Sequence, residues 1–127
     1  HDQMDDMIKK LIDETNPSLI ISFYPKFAVH PDHEATGEAV VRTVGRMPKN
    51  ERPRLTLVAF SNDAPDILGE PDIQNDISKY KDIKIKAFEA HASQTGPFLK
   101  ELASPQVDGQ VHSFLEIEPF WTYHFES

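Results

Sequence analysis

Two short apolar runs on either side of a helical pattern limit what this chain can fold into. Leu19–Phe23 and Leu55–Phe60 are almost continuously apolar, which is typical of strands that are buried on both faces. Between them, apolar side chains in residues 34–47 recur at helical spacing, and Pro48 closes the pattern. A strand, a helix and a strand in this order predict two parallel strands joined by a right-handed crossover. We therefore expect an α/β fold with a parallel sheet that helices cover on both faces.

The pattern predicts more helices than its strands can accommodate. Residues 3–15 form an amphipathic helix that leads directly into the first strand, although no strand precedes it. The remaining patterns predict a short edge strand, a helix, a break in the chain and a terminal strand or aromatic tail: 73–77, 78–93, Gly96–Pro97 and 120–125. In α/β folds such a first helix normally returns from an earlier strand. We therefore expect residues 1–127 to be the C-terminal portion of a single larger domain whose upstream strands are missing.

The composition excludes several classes of function. The 127 residues carry a formal net charge of −8, which argues against nucleic acid or an anionic membrane surface as the main partner. The absence of cysteine excludes disulfides, thiolate zinc sites and cysteine nucleophiles, and it fits a reducing cytoplasm. No apolar run approaches the roughly 18 residues that indicate a membrane span, and we expect no signal peptide. The expectation is a cytoplasmic protein, and the composition leaves homo-oligomerisation open.

The side chains with the most evident chemistry lie at the predicted start of the second helix, in His30-Pro31-Asp32-His33. Pro31 stiffens the backbone because its ring fixes φ at about −65°, and two histidines three apart can point the same way on a helix. They would form half of a metal site, since a catalytic zinc usually has three protein ligands and a water. The same four residues are equally compatible with helix capping, in which Asp32 binds a free N–H and offsets the helix dipole.

The motif and its surroundings resemble a known family. His30–Val40, following Pro17–Ile21, looks like the second signature of the LmbE-like (PIG-L) de-N-acetylases, and Ala90–Thr95 resembles the later Ala-His-x-Ser-Gln segment of that family. Within the family, the sequence is most similar to the deacetylases of bacillithiol biosynthesis. The resemblance implies a Rossmann-like fold and a zinc-dependent hydrolase. Such an enzyme removes the acetyl group from an N-acetylglucosaminyl conjugate, for example N-acetylglucosaminyl-malate.

The resemblance also implies roles for three residues. His33 matches a zinc ligand in a site that holds one zinc ion, and His30 matches the residue that acts as general acid or stabilises the oxyanion. Asp32 belongs to the polar network that orients these groups. The family's first signature, His-Pro-Asp-Asp-Glu, supplies two further zinc ligands and the carboxylate base, and no segment of this sequence replaces it. Asp5-Asp6 is interpreted as a solvated helix face, so the chain is expected to be inactive without the N-terminal half of its domain.

Two alternatives stay open. In the first, the chain is a non-catalytic α/β module whose helix start binds an anion such as a phosphate, or a metal. Against that interpretation, the sequence has no Gly-rich loop to hold a phosphate, because Gly37 and Gly45 fall inside a predicted helix. In the second, the chain is a self-contained metal-binding protein that uses His30, His33 and His91.

Several other side chains have a structural interpretation beside a functional one. Arg42 and Arg46 either pair with an acidic substrate or, as the favoured interpretation, form a solvated helix face. Trp121 and Tyr123 either line a sugar-binding pocket or belong to a core strand. The other three internal or late histidines are interpreted mainly as structural residues: His91, His112 and His124.

Overall fold

The chain forms two compact units. The computed structural model describes residues 2–102 and 109–125. The first unit contains the residues up to Ile73 and those from Phe120 onward, and the second contains Gln74–Pro119. The first unit begins with α1, β1, α2, β2 and α3: Asp2–Thr15, Leu19–Phe23, Pro31–Gly45, Arg54–Val58 and Ala64–Leu68. The elements that follow are β3, α4, α5, α6 and β4: Ile73–Asp76, Lys81–Ala90, Ala92–Leu102, Gly109–Glu116 and Ile117–Thr122. Single 3₁₀ turns lie at Lys49–Glu51 and Ser78–Tyr80.

The predicted strand–helix–strand unit is confirmed. β1 and β2 are parallel, with Leu19 opposite Arg54 and Phe23 opposite Val58, and α2 connects them. The α/β class is therefore confirmed. The sheet is mixed rather than entirely parallel, because β4 pairs with β2 in the antiparallel direction and the strand order is β1-β2-β4-β3. The expected terminal strand forms, but it covers Ile117–Thr122 rather than 120–125. It pairs along the side of β2 that β1 leaves free, and its direction is not encoded by periodicity within the strand.

The hydrophobic core of the first unit joins α1, α2 and β2. Its buried members are Ile12, Val40, Val44, Leu55 and Leu57. The predicted apolar stripe of α1 is only partly covered, because Ile12 is buried while Met7 is 62% exposed and Leu11 is also exposed. On β1, Ser22 is buried, whereas the neighbouring Ile21 is 62% exposed. Since successive side chains of a strand point to opposite faces, this leaves one face of β1 open to solvent.

The prediction that Asp5 belongs to a solvated helix face is wrong, because Asp5 is buried. The interpretation of the two arginines as a solvated face holds only in part, because Arg46 is 62% exposed and Arg42 is 30% exposed, and both pair with Asp5. The Asp5 side chain is 3% exposed and accepts three hydrogen bonds. Arg42 donates two of them, at 3.0 and 3.1 Å, and Arg46 donates the third at 3.0 Å. The hydrogen bond from Arg42, assisted by the charges of both arginines, lowers the pKa of Asp5. These bonds fasten α1 to α2, a pairing across 37 residues that sequence spacing does not reveal.

The helical region of the second unit is divided differently from the prediction. The expected continuous helix over 78–93 becomes a 3₁₀ turn and α4, and α5 starts after His91. The backbone at His91 has φ −107° and ψ 40°, which ends α4, and its carbonyl accepts bonds from the N–H groups of Gln94 and Thr95. The predicted break at Gly96–Pro97 is wrong, because α5 continues through Pro97. Within the described ranges, no helix is both long enough and apolar enough to cross a bilayer.

Candidate active site

The candidate site lies where β1 ends and α2 begins. β1 ends at Phe23, a seven-residue loop follows, and α2 starts at Pro31, inside the predicted His-Pro-Asp-His helix start. Gly37 lets the helix approach the strand closely, because a Cβ atom at this position would lie 2.4 Å from the carbonyl oxygen of Phe23. No larger residue fits without moving the helix. Gly37 therefore has a packing role and not a phosphate-binding one. It allows the first turns of α2 to pack against the carboxyl end of β1.

His33 is held by aromatic contacts and has a buried nitrogen without a partner. Its ring stacks on Phe23 with a centroid distance of 4.2 Å and an interplanar angle of 4°, and Phe60 lies at 6.0 Å. The Nδ1 atom is buried and accepts or donates no hydrogen bond within the part of the chain that the structure describes. Buried polar atoms normally have a partner. A fixed imidazole with an unsatisfied nitrogen fits the expected zinc ligand, because a metal or another group can supply the missing partner.

His30 lies beside His33 and caps α2. The two ring centroids are 5.1 Å apart, so the motif brings both imidazoles together as expected. His30 is the N-cap residue, and its Nδ1 accepts a 3.1 Å hydrogen bond from the backbone N–H of Asp32. The capping role given to the Asp32 side chain is therefore wrong. Because Nδ1 accepts, the neutral ring carries its proton on Nε2, and that atom is available as a donor.

Asp32 contributes its backbone more than its carboxylate. The side chain is 92% exposed, and Oδ2 lies 3.9 Å from Nδ1 of His30, which is too long for a hydrogen bond. Its N–H is instead the group that orients the imidazole. The same N–H would be needed by an anion at the start of the helix. The anion-binding alternative is therefore not favoured by this arrangement.

Glu34 is a residue of the site that sequence reasoning missed. Its carboxylate oxygens accept hydrogen bonds from the backbone N–H groups of Lys26 and Ala28, at 2.5 and 2.7 Å. Both donors belong to the loop that leads to His30. The available signal was an acidic residue in the first turn of a helix, but that position is usually explained by the helix dipole alone. The contact depends on the loop conformation, which the sequence does not show.

The first half of this loop lines a cavity of about 400 Å³. Tyr24, Lys26, Phe27 and Tyr123 contribute to its walls. Tyr123 packs edge-on against Tyr24 at a centroid distance of 5.6 Å, and burial raises the pKa of the Tyr24 hydroxyl. Trp121 is a core residue instead, because its side chain is buried and Nε1 donates a 2.9 Å bond to the carbonyl of Gly69.

The described residues do not build a metal site by themselves. Among them, no three His, Asp, Glu or Cys side chains lie close enough together to hold a metal ion. The self-contained site of His30, His33 and His91 therefore finds no support, and His91 and His124 are exposed. The side chain of His112 lies outside the described side chains. Within this part of the molecule, His33 is the candidate for a single ligand of a larger site.

Three curated relatives match almost the whole chain. Each is named a probable N-acetyl-α-D-glucosaminyl L-malate deacetylase 2, from Bacillus anthracis, Bacillus cereus and Bacillus subtilis, with 45%, 47% and 40% identity. The chain is a homologue of these deacetylases. The resemblance to the LmbE-like de-N-acetylases, and to their bacillithiol-related members, is thereby confirmed. The matches cover 94–95% of this chain but 54–56% of the deacetylases, so the chain spans about half of their length. No family model and no solved structure matches the chain.

Proposed function

We propose that this chain is part of a zinc-dependent N-deacetylase that hydrolyses the acetamide of an N-acetylglucosaminyl conjugate, such as N-acetylglucosaminyl-malate. The observation that carries the proposal is the pair of adjacent imidazoles at the carboxyl end of β1, one of which has an unsatisfied buried nitrogen. The names of the relatives supply the substrate class. A cytoplasmic location is part of the proposal, and the absence of cysteine fits such a reducing compartment.

His33 would be one zinc ligand. When bound, a zinc ion polarises the amide carbonyl and makes a coordinated water a stronger nucleophile. The stacking of the His33 ring on Phe23 prevents the imidazole from rotating, so its free nitrogen keeps one direction. Such pre-orientation is what a metal ligand needs, because binding then orders no flexible side chain.

His30 would act on the substrate rather than on the metal. The Nε2–H group of its capped imidazole can donate a hydrogen bond to the oxyanion that develops when the amide is attacked. Proton transfer to the leaving amine, which must be protonated before the C–N bond breaks, would require the imidazolium form of His30. In the neutral ring, the bond from the Asp32 N–H fixes the tautomer with its proton on Nε2, which is the form that donates to the oxyanion. Asp32 is thus proposed to orient His30.

The rest of the site would come from upstream of this chain. Two zinc ligands and the carboxylate base have no counterpart among the described residues, where no three-ligand group is present. β1 is an outermost strand of the described sheet, and the apolar side chains of Leu19 and Ile21 on one of its faces are exposed. A further parallel strand at the free edge of β1 would place its own carboxyl end next to His30 and His33, and a helix that connects to such a strand would cover the exposed face. Residues 1–127 are therefore proposed to be the C-terminal portion of one domain.

The test compares the complete polypeptide with residues 1–127 alone. Both are incubated with N-acetylglucosaminyl-malate, release of free amine is followed, and native mass spectrometry reads polypeptide mass, copy number and bound metal. The complete polypeptide is expected to hydrolyse the conjugate and hold one zinc per site, and residues 1–127 are expected to do neither. A complete polypeptide that is inactive on the conjugate with zinc bound would refute the substrate class. One tight zinc on residues 1–127 would refute the upstream ligands.

A further inference from the structure

The loop that leads to His30 has an unfavourable backbone conformation. Lys26 and Val29 have φ angles of 75° and 73°, although neither is a glycine. Positive φ is uncommon for side-chain-bearing residues and is least favourable for a β-branched residue such as Val29. The N–H of His30 bonds to the carbonyl of Ala28 at 2.9 Å, so Val29 is the centre of a three-residue γ-turn. Such a turn persists only where the surrounding structure holds it in place.

Two groups hold this loop. The backbone N–H groups of Phe60 and Ser61, just after β2, both donate to the carbonyl of Phe27, at 2.7 and 3.1 Å. On the opposite side, the carboxylate of Glu34 accepts the N–H groups of Lys26 and Ala28. A carboxylate is suited to this contact because it can accept one bond on each oxygen and donates none. Bonds to a charged acceptor are also stronger than neutral ones.

Ala28 connects Glu34 to His30. Its N–H donates to Glu34, and its carbonyl accepts the N–H of His30. The carbonyl of His30 in turn accepts the N–H of Glu34 at 2.9 Å, which closes a ring of hydrogen bonds around the γ-turn. The backbone of His30 is therefore fixed on both sides. A shift of the loop would therefore move the His30 imidazole.

We infer that Glu34 is a positioning residue, which holds the γ-turn at Val29 and thereby places the His30 imidazole for catalysis. The catalytic part of this inference rests on the proposed deacetylase function. Glu34→Gln is the informative change, because an amide keeps the size of the side chain but offers one acceptor and turns an N–H₂ group toward the second loop amide. One of the two loop bonds is then lost, and the γ-turn has less to hold it.

The experiment uses the complete polypeptide and a matched control. Glu38→Gln makes the same chemical change one turn along α2, where the carboxylate is half exposed and lies 4.0 Å from the guanidinium of Arg42. Amide hydrogen exchange is measured at Lys26, Ala28 and His30, and kcat, KM, zinc content and thermal midpoint are measured in parallel. In Glu34→Gln we expect faster exchange at Ala28 and His30 and a kcat lower by roughly 10- to 100-fold, as for a slightly misplaced catalytic group. KM, zinc content and thermal midpoint should stay close to those of the wild type, and Glu38→Gln should change none of these quantities.

Three results would overturn the inference. Unchanged exchange at Ala28 and His30 would mean that Glu34 does not hold the turn. Faster exchange with unchanged kcat would mean that the turn does not place His30. A raised KM with unchanged kcat would assign Glu34 to substrate binding. A wild-type protein that is inactive on the conjugate would refute the proposed function instead, and the exchange measurement would still decide whether Glu34 holds the loop.

Discussion

The two ends of α2 differ in how their charged and ionisable side chains are paired. At the C-terminal end, Arg42 and Arg46 share the buried carboxylate of Asp5. The guanidinium of Arg52 donates to the carbonyls of Gly45 and Met47 and packs over the Phe125 ring. At the N-terminal end, Nδ1 of His33 is buried without a partner in the described part of the chain, and the Asp32 carboxylate points into solvent.

This difference distinguishes polar side chains that stabilise the fold from those that are available to bind a ligand. The charged groups at the C-terminal end satisfy one another inside the chain, so they are explained by the packing of α1 on α2. The groups at the N-terminal end are held just as firmly by stacking, capping and a carboxylate, yet they leave atoms unused. Rigid positioning together with unused donors and acceptors is the arrangement that a binding or catalytic site requires. Substitutions at the two ends should therefore affect different quantities.

The largest effect is expected from His33→Ala in the complete polypeptide. Removing a direct ligand should lower zinc affinity by more than about 100-fold, since loss of outer partners alone costs 10- to 100-fold, and turnover should be lost with it. Zinc content after dialysis against a chelator of known affinity, together with amine release, measures both. A variant that retained wild-type zinc content would show that His33 is not a ligand.

His30→Ala should separate binding from chemistry. Zinc content should remain at the wild-type level, whereas kcat should fall by about 100- to 1000-fold, as for removal of an oxyanion donor. The matched control is His124→Ala, since His124 is exposed and follows the last strand. Loss of zinc from the His30 variant would indicate that His30 also binds the metal, and it would contradict the proposal that only His33 of the two does so.

Gly37→Ala tests whether the close packing of α2 on β1 supports both the stability of the protein and the position of His33. The added Cβ would lie 2.4 Å from the Phe23 carbonyl oxygen, so α2 must move away from β1. Overpacking of this kind costs about 1–3 kcal/mol, and it should also loosen the His33 stack on Phe23. Denaturant unfolding gives the free energy, and Gly69→Ala is an unsuitable comparison because of its positive φ. Gly96→Ala, where a Cβ meets nothing within 4 Å, is the control.

Asp5→Asn should affect stability and its pH dependence but leave the chemistry intact. Because the pKa of Asp5 in the folded protein is below its ordinary value of 3.8, the stabilisation is complete above about pH 4 and is lost as pH falls through the lower, folded value. The variant should therefore melt at a lower temperature than the wild type at pH 7, and the two should converge under strongly acidic conditions. Equal melting temperatures at pH 7 would contradict a stabilising role of the ion pairs.

Asp32→Asn is expected to have the smallest effect. The backbone N–H that orients His30 survives the substitution, and the lost charge lies 3.9 Å from the imidazole in an exposed position. Exposed charge pairs contribute little, so kcat should change by at most about fivefold. A decrease comparable to that of His30→Ala would show that the carboxylate itself acts in the reaction.

Local patterns predicted the frame of the first unit and the position of the motif. The apolar runs marked β1 and β2, and the spacing of Val40 and Val44 marked α2, because these features depend on periodicity within one element. The ion pairs of Asp5 depend on contacts between distant segments, and the role of Glu34 depends on positive φ angles at Lys26 and Val29. The types and spacing of these residues predict neither the ion pairs of Asp5 nor the loop contacts of Glu34. The close approach at Gly37 was not predicted either, although a glycine inside a helix can have such a packing reason.

The open side of β1 has a consequence for residues 1–127 on their own if, as proposed, they are the C-terminal portion of a larger domain. A row of unpaired backbone N–H and C=O groups, flanked by the exposed side chains of Leu19 and Ile21, is a template onto which any extended chain can add. Two separated halves would thus compete with their own aggregation during reassembly. Co-expression should give more active protein than mixing purified halves, because the proper strand is then present when this edge first forms.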